Sequence, residues 1–305
     1  MKTMNYFLSF FVFAVLMATT ANAQNNPGED STGLPGDNFD LQGALQRFQN
    51  AASPEDFEKA INTEGNHVNN LDLDGDDDID YIRVVGKMEN DVHVFVLQVA
   101  VSATENQDVA VIELEKTGKE TAVIQIIGDE DIYGEQVIIE PDGGGNDGSF
   151  YNDNNNSNLS GPNVNFNDNV PCFVINVWLW PSVRFVYTPF YKPWYSPWRW
   201  NYYPGWWKPW RPFGWSVWHP FRSNYHRSFV VVRTHRVVNA HRIYTPFRSS
   251  SIVVKNRHSA SVNNFRVTRS RTSVSGPRGK TTTVKKTTVT GPRGNKATKV
   301  KVRRH

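Results

Sequence analysis

The chain has 305 residues, one cysteine and a formal charge of +3. That near-neutral total conceals a division: all 30 acidic residues lie at or before Asp168 with only 7 of the 33 Lys and Arg, so residues 1–168 carry −23 and residues 169–305 carry +26. A lone cysteine excludes a disulfide scaffold, and a charge split of this kind bears on partners and steering rather than on fold.

Residues 1–23 match the pattern of a secretory signal peptide: Lys2, the apolar run Tyr6–Met17, and the small-x-small sequence Ala21-Asn22-Ala23. The run is about 12 residues, short of the roughly 20 that a spanning helix needs. No later segment is long and apolar enough, so no transmembrane span is expected. The chain is expected to be exported to the periplasm, the outer-membrane surface or the extracellular space. Cys172 sits among Val170, Pro171, Phe173, Val174 and Ile175, which fits a small buried hydrophobe better than a nucleophile.

Residues 24–38 read as a polar, Gly/Pro-rich lead-in that is expected to be flexible. From Phe39 to about Ala51, Phe39, Leu41, Ala44, Leu45 and Phe48 recur near helical spacing. Ser53-Pro54-Glu55-Asp56 then supplies an N-cap, a proline at the first helical position and acidic first-turn residues, predicting a second helix to about Asn62. Beyond it the period changes. Tyr81–Val85, Val92–Val101, Val109–Leu114, Ala122–Ile127 and Gln136–Ile139 read as four or five short antiparallel strands. Residues 39–140 are thus expected to be an acidic α+β domain of two helices and an antiparallel meander.

Residues 141–169 read as a Gly/Asn/Asp linker, too polar to offset its ordering entropy by burial. All ten tryptophans fall between Trp178 and Trp218, interleaved with Pro, Tyr, Phe, Arg and Lys. Prolines this dense exclude helix interiors and central strands, so 170–221 is expected to be an irregular Trp/Pro segment. Residues 222–305 hold 21 Lys and Arg and no acid, and read as a basic low-complexity tail with β-prone pieces at Phe229–Arg233 and Ser251–Lys255. Gly-Pro-Arg-Gly recurs at 276–279 and 291–294, each a turn able to join Thr/Val-rich arms into a hairpin. The whole region after 170 is expected to be largely irregular or disordered.

The most specific chemical signal is Asp72-Leu-Asp-Gly-Asp-Asp-Asp-Ile-Asp80. Carboxylates at alternate positions of a tight loop converge on one point, and a hard cation taking 6–8 oxygens matches that geometry. The segment resembles the calcium loops of dockerins, EF-hands and FG-GAP repeats. The resemblance implies side-chain ligation by Asp72, Asp74, Asp76 and Asp80, with Asp78 ligating through its carbonyl. A second register uses Asn70, Asp72, Asp74 and Asp78. Asp77 stands where the pattern has a second glycine, and no glutamate occupies the twelfth position in either register. Tyr81–Val85, directly after the loop, reads as a strand, so helix–loop–helix is not expected. Calcium is therefore expected as a structural ion.

The aromatic and basic side chains Trp194, Trp198, Arg199, Trp200, Trp206, Trp207, Lys208, Trp210 and Arg211 offer stacking faces and cations for a polysaccharide or an envelope polyanion. Packing on the folded domain is the equal alternative. Nucleic acid is expected only as extracellular DNA, peripheral membrane contact is compatible with the Trp and Tyr content, and the acidic domain itself is the nearest partner for the basic tail. Six of eight histidines lie in the second half at irregular spacing, without cysteine partners or an HExxH motif, and are expected at a solvated surface. Gly-x-Ser-x-Gly, P-loop and dinucleotide fingerprints are missing, and no carboxylate pair stands out as a glycosidase dyad. The layout resembles secreted proteins of Bacteroidetes-type Gram-negative bacteria. The expected role is a non-enzymatic envelope or surface protein. The alternatives are a self-assembling matrix protein, and a hydrolase or inhibitor module on the α+β domain.

Overall fold

A computed structural model describes residues 31–142, 175–222, 228–275, 281–290 and 296–304. The expected signal peptide, the first part of the lead-in, most of the linker, Cys172 and both Gly-Pro-Arg-Gly turns lie outside those residues. The first helices are α1 (Leu41–Asn50) and α2 (Pro54–Ile61). Asp40 caps α1 through the Gln42 amide, and Ser53 caps α2 by accepting from the Asp56 amide at 3.1 Å. Five strands come next in a meander: β1 (Ile82–Glu89), β2 (Val92–Ala100), β3 (Asn106–Gly118), β4 (Thr121–Gly128) and β5 (Val137–Pro141), with the short helix α3 (Glu130–Tyr133) before β5. These five lie side by side in the order β1-β2-β3-β4-β5, every pair antiparallel. The two-residue β1–β2 loop places Asn90 at φ 54, a conformation asparagine tolerates and such hairpins require.

The last strand, β6 (Phe229–Val232), comes from the basic tail and pairs with β5. The region after 170 therefore completes the sheet. It also supplies helices α4 (Pro181–Val186), α5 (Trp215–Arg222), α6 (Val238–Tyr244) and α7 (Ile252–Asn264). Ser251–Lys255, whose Val/Ile content reads as β-prone, starts α7 instead. Ser251 is its N-cap, accepting from the Val254 amide, and capping overrides weak local preference. Much of 187–214 is irregular, as its prolines dictate. A separate antiparallel sheet, β7 (Arg266–Ser275), β8 (Thr281–Thr290) and β9 (Lys296–Arg304), is formed by the arms that flank the two Gly-Pro-Arg-Gly sequences.

The six-stranded sheet is covered on both faces. On one, Phe95, Leu97, Ile112, Leu114, Ile124 and Ile126 pack with Phe48 and Phe57 of α1 and α2, and with Val183 and Val186 of α4. On the other, Val94, Val96, Val111 and Ile127 pack with Val237, Ala240 and Tyr244 around α6. That double covering explains why β2 is buried along nearly its whole length.

The Trp/Pro arm holds this arrangement as a strap. The Val177 amide donates to the Ala122 carbonyl, Trp194 and Ser196 bond β1, and the Ile79 amide donates to the Trp210 carbonyl. Farther along, Phe213 and Asn70 exchange hydrogen bonds, and the buried Trp218 donates its indole N–H to the Asp37 carbonyl. Glu58 of α2 is the hub: its carboxylate accepts from Tyr81 Oη (2.8 Å), the Val84 amide (2.9 Å), Trp194 Nε1 (3.0 Å) and Ser196 Oγ (2.8 Å). Burial nevertheless raises its pKa, the four donors only opposing the shift.

The strap needs a bare Cα at Gly86, whose amide donates to the Trp194 carbonyl at 2.6 Å. A Cβ there would stand 2.8 Å from that oxygen and 3.1 Å from the Trp194 nitrogen. We expect Gly86→Ala to lower the unfolding free energy by about 1–3 kcal/mol and to loosen the Trp194–Ser196 contact. Urea unfolding followed by tryptophan emission checks both.

Candidate functional site

The Asp72–Asp80 loop is built from turns in which its own carboxylates accept backbone amides. Asp72 accepts from Gly75 (2.6 Å) and Asp77 (3.2 Å), Asp74 from Asp76 (3.2 Å), and Asp76 from Asp78 (3.0 Å). Gly75 and Asp77 both lie in the left-handed region, at φ 72 and 69, so aspartate does adopt the conformation for which the pattern uses glycine. These turns bring ligand oxygens of Asp72, Asp74 and Asp76 within 4.8 Å of one another. Calcium holds oxygens at 2.3–2.6 Å, hence up to about 5 Å apart across the ion, so the three fit one cation.

Asp80 is buried behind them and accepts from the Leu73 amide at 2.5 Å. Burial pushes its carboxyl well above the usual range, the Leu73 amide opposes this, and the charges of Asp74, Asp72 and Asp76 raise it further. Asp74 is raised as well, by burial and then by the charge of Asp76. Asp78 is half-buried, and its amide serves the turn at Asp76. Asn70 points elsewhere. Its amide group bonds Asn38 and both backbone groups of Phe213, so the second register would cost the strap two bonds.

One neighbour was invisible in the sequence, 182 positions away from Gly75: the guanidinium of Arg257 on α7 lies over the loop. A Cβ built on Gly75 would stand 1.3 Å from Arg257 Nη1. The cation lowers the Asp74 pKa, the smallest of the influences on that group.

The strap divides the aromatic residues. Trp207 is buried and meets Tyr81 edge-on at 5.1 Å, Trp194 reaches Glu58, and Trp210 is half-buried beside the Asp loop. Trp198 and Trp200 are half-buried, Trp206 is exposed, and Arg199, Lys208 and Arg211 are exposed. Phe190 is the most exposed aromatic residue described, at 98% and φ 68, and it lines an open cleft with Phe185, Lys192, Trp194 and Tyr195. Nothing in the sequence separates it from the buried rings around it.

The second sheet face carries a further cluster. Asp108, Glu113, Glu115, Gln125 and Glu140 point away from α1 and α2 and toward the tail. Asp108 accepts from Gln98 Nε2 (2.6 Å), Tyr244 Oη (3.1 Å) and the Ser249 amide (2.9 Å). Arg236 bonds Glu140 at 3.0 Å, and Arg248 grips Asp129 at 2.6 Å and Asp131 at 2.7 Å. Glu113, fully buried, is met by His235 and His241. These two histidines are only partly solvated, contrary to the surface placement that irregular spacing suggests, because β6 and α6 fold them onto β3.

No helix among the described residues is long and apolar enough to cross a membrane. The chain matches no family profile, no curated protein and no solved structure.

Burial pushes Asp108 from 3.8 up to about 6, its hydrogen-bond donors only moderating the shift. The folded state thus holds a proton between those values that the unfolded chain lacks. Its contribution favours folding at low pH and is lost as pH rises through about 6. The stability difference between wild type and Asp108→Asn should therefore grow in favour of wild type by about 1 kcal/mol from pH 7 to pH 5. Urea titrations of both proteins at the two pH values measure it.

Proposed function

We propose that the chain is an exported, non-enzymatic envelope or surface protein, stiffened by a structural calcium ion in the Asp72–Asp80 loop. An exposed aromatic and cationic rim contacts polysaccharide or an anionic envelope polymer. The observation that carries the reading is the convergence of Asp72, Asp74 and Asp76 in front of the buried Asp80. Carboxylates held this close without a cation repel one another, and an all-oxygen donor set selects a hard ion over a soft one.

The polymer-binding rim is narrower than the tryptophan content suggests. It comprises Phe190, Tyr195, Tyr202 and Trp206 with Arg199, Lys208 and Arg211, all exposed. Aromatic faces stack on sugar rings, while the cations meet carboxylate or phosphate groups. Arg271, Lys285 and Lys301 are direct register partners across the three strands of the β7–β9 sheet, and the tail they belong to, residues 222–305, holds 21 Lys and Arg and no acid, a composition that favours an anionic partner.

Calorimetric titration of the mature chain is expected to show calcium binding in the range of extracellular modules, roughly 10⁻⁴–10⁻³ M. Asp72→Asn with Asp74→Asn should abolish it. Arg257→Ala should tighten it a few-fold, because the removed guanidinium repels the incoming ion. No calcium heat, together with a melting temperature indifferent to chelator, contradicts the calcium assignment.

A further inference from the structure

We propose that Glu113, His235 and His241 form a three-ligand site for a divalent transition metal, with zinc as the best fit. It is distinct from the Asp loop in place and in chemistry. Glu113 Oε2 lies 2.5 Å from His235 Nε2, and Glu113 Oε1 lies 2.9 Å from His241 Nδ1. The imidazole rings sit 4.4 Å apart between centroids, at 72° to each other. The three ligand atoms all fall within 4.8 Å of one another. Zinc with nitrogen and oxygen ligands at 2.0–2.2 Å needs them roughly 3.3 Å apart in tetrahedral geometry, which small ring rotations reach from here. Two neutral imidazoles and one carboxylate suit zinc and its neighbours in the transition series, whereas calcium takes oxygen donors.

The surroundings hold these side chains in place. Gln125 is the register partner of Glu113 on β4. Its side chain donates to the Thr234 carbonyl and accepts from the Arg236 amide, clasping the backbone on each side of His235. Glu115, two residues along β3, accepts from Asn239 Nδ2 and the Ala240 amide, directly before His241. Both histidine backbones are thus fastened to the strand neighbours of Glu113. Outer-shell bonding of this kind orients ligands in metal sites. The carboxylate is fully buried, while the His235 and His241 side chains are 20% and 30% exposed. A metal held there keeps its fourth position toward solvent, the arrangement that distinguishes three-ligand zinc sites from closed structural ones.

Cobalt(II) titration of the chelator-stripped mature chain tests the proposal. The expected result is visible absorption typical of a tetrahedral cobalt centre, saturating at one equivalent, abolished by added zinc and indifferent to excess calcium. His241→Gln and His235→Gln should each weaken binding by more than the 10–100-fold that outer-shell changes cost. Asp72→Asn with Asp74→Asn should leave it unchanged. Far-UV circular dichroism and the calcium response of the histidine variants report whether they remain folded. Three results would overturn the assignment: no cobalt absorption, absorption that survives both histidine changes, or absorption lost with the Asp-loop variant.

Discussion

Burying carboxylates on the second face of an antiparallel sheet is the constraint on which the rest of this structure depends. Asp108 and Glu113 lose their water entirely, and Glu115 and Glu140 lose much of theirs. An isolated carboxylate in such a place costs several kcal/mol unless it is paired and hydrogen-bonded. The partners come from a segment with no carboxylate of its own: His235, Arg236, Asn239, His241, Tyr244, Arg248 and Ser249. Because that segment carries no acid, every charged group it brings to the sheet is complementary. The division of the sequence into −23 and +26 is therefore in part the folded molecule's own electrostatic contact. Arg248 shows the form it takes, holding both Asp129 at the N-cap of α3 and Asp131 in its first turn.

The Trp/Pro strap makes that contact possible by carrying the chain around the domain. It leaves β4 near Ala122, passes α2 and β1 at Glu58, crosses the end of the Asp loop at Ile79, and delivers Phe229 to the β5 edge. A free sheet edge invites pairing with other chains, and β6 covers this one from within. Few of the strap's bonds belong to regular secondary structure. They are side-chain and carbonyl contacts at single points, which proline-rich backbone permits because its missing amides leave few donors to satisfy.

The first domain was largely legible because its signals are local. Ser53-Pro54 fixes the start of α2, and the Val- and Ile-rich runs such as Val92–Val101 mark the strands. The Asp ladder announced its turns, including the left-handed Asp77. The tail was not legible in the same way. Val237, Ala240 and Tyr244 matter through a sheet face far earlier in the chain, and Phe229–Val232, β-prone in the sequence, carries no sign that its partner is the β5 edge. Glu113 and its histidines carry no motif, since their spacing is set by how β6 and α6 return to β3. Arg257 reaches Gly75 through the same long-range return. In the Trp/Pro block, composition names the aromatic residues but does not separate Trp207, in the core, from the exposed Trp206 beside it.

The two proposed cation sites differ in character, one being three aspartates in a loop of the acidic domain and the other a glutamate with two histidines at the seam between domain and tail. The central claim concerns that seam: the acidic domain acquires its native stability only when the basic region covers it. Separate production of residues 24–145 and 170–305, with urea unfolding of the first piece alone and after mixing, tests this most directly. The account predicts a weak or non-cooperative transition for 24–145 alone, restored toward that of the full chain by the second piece in low salt. A cooperative transition for 24–145 that is as stable as the full chain and indifferent to 170–305 would contradict it.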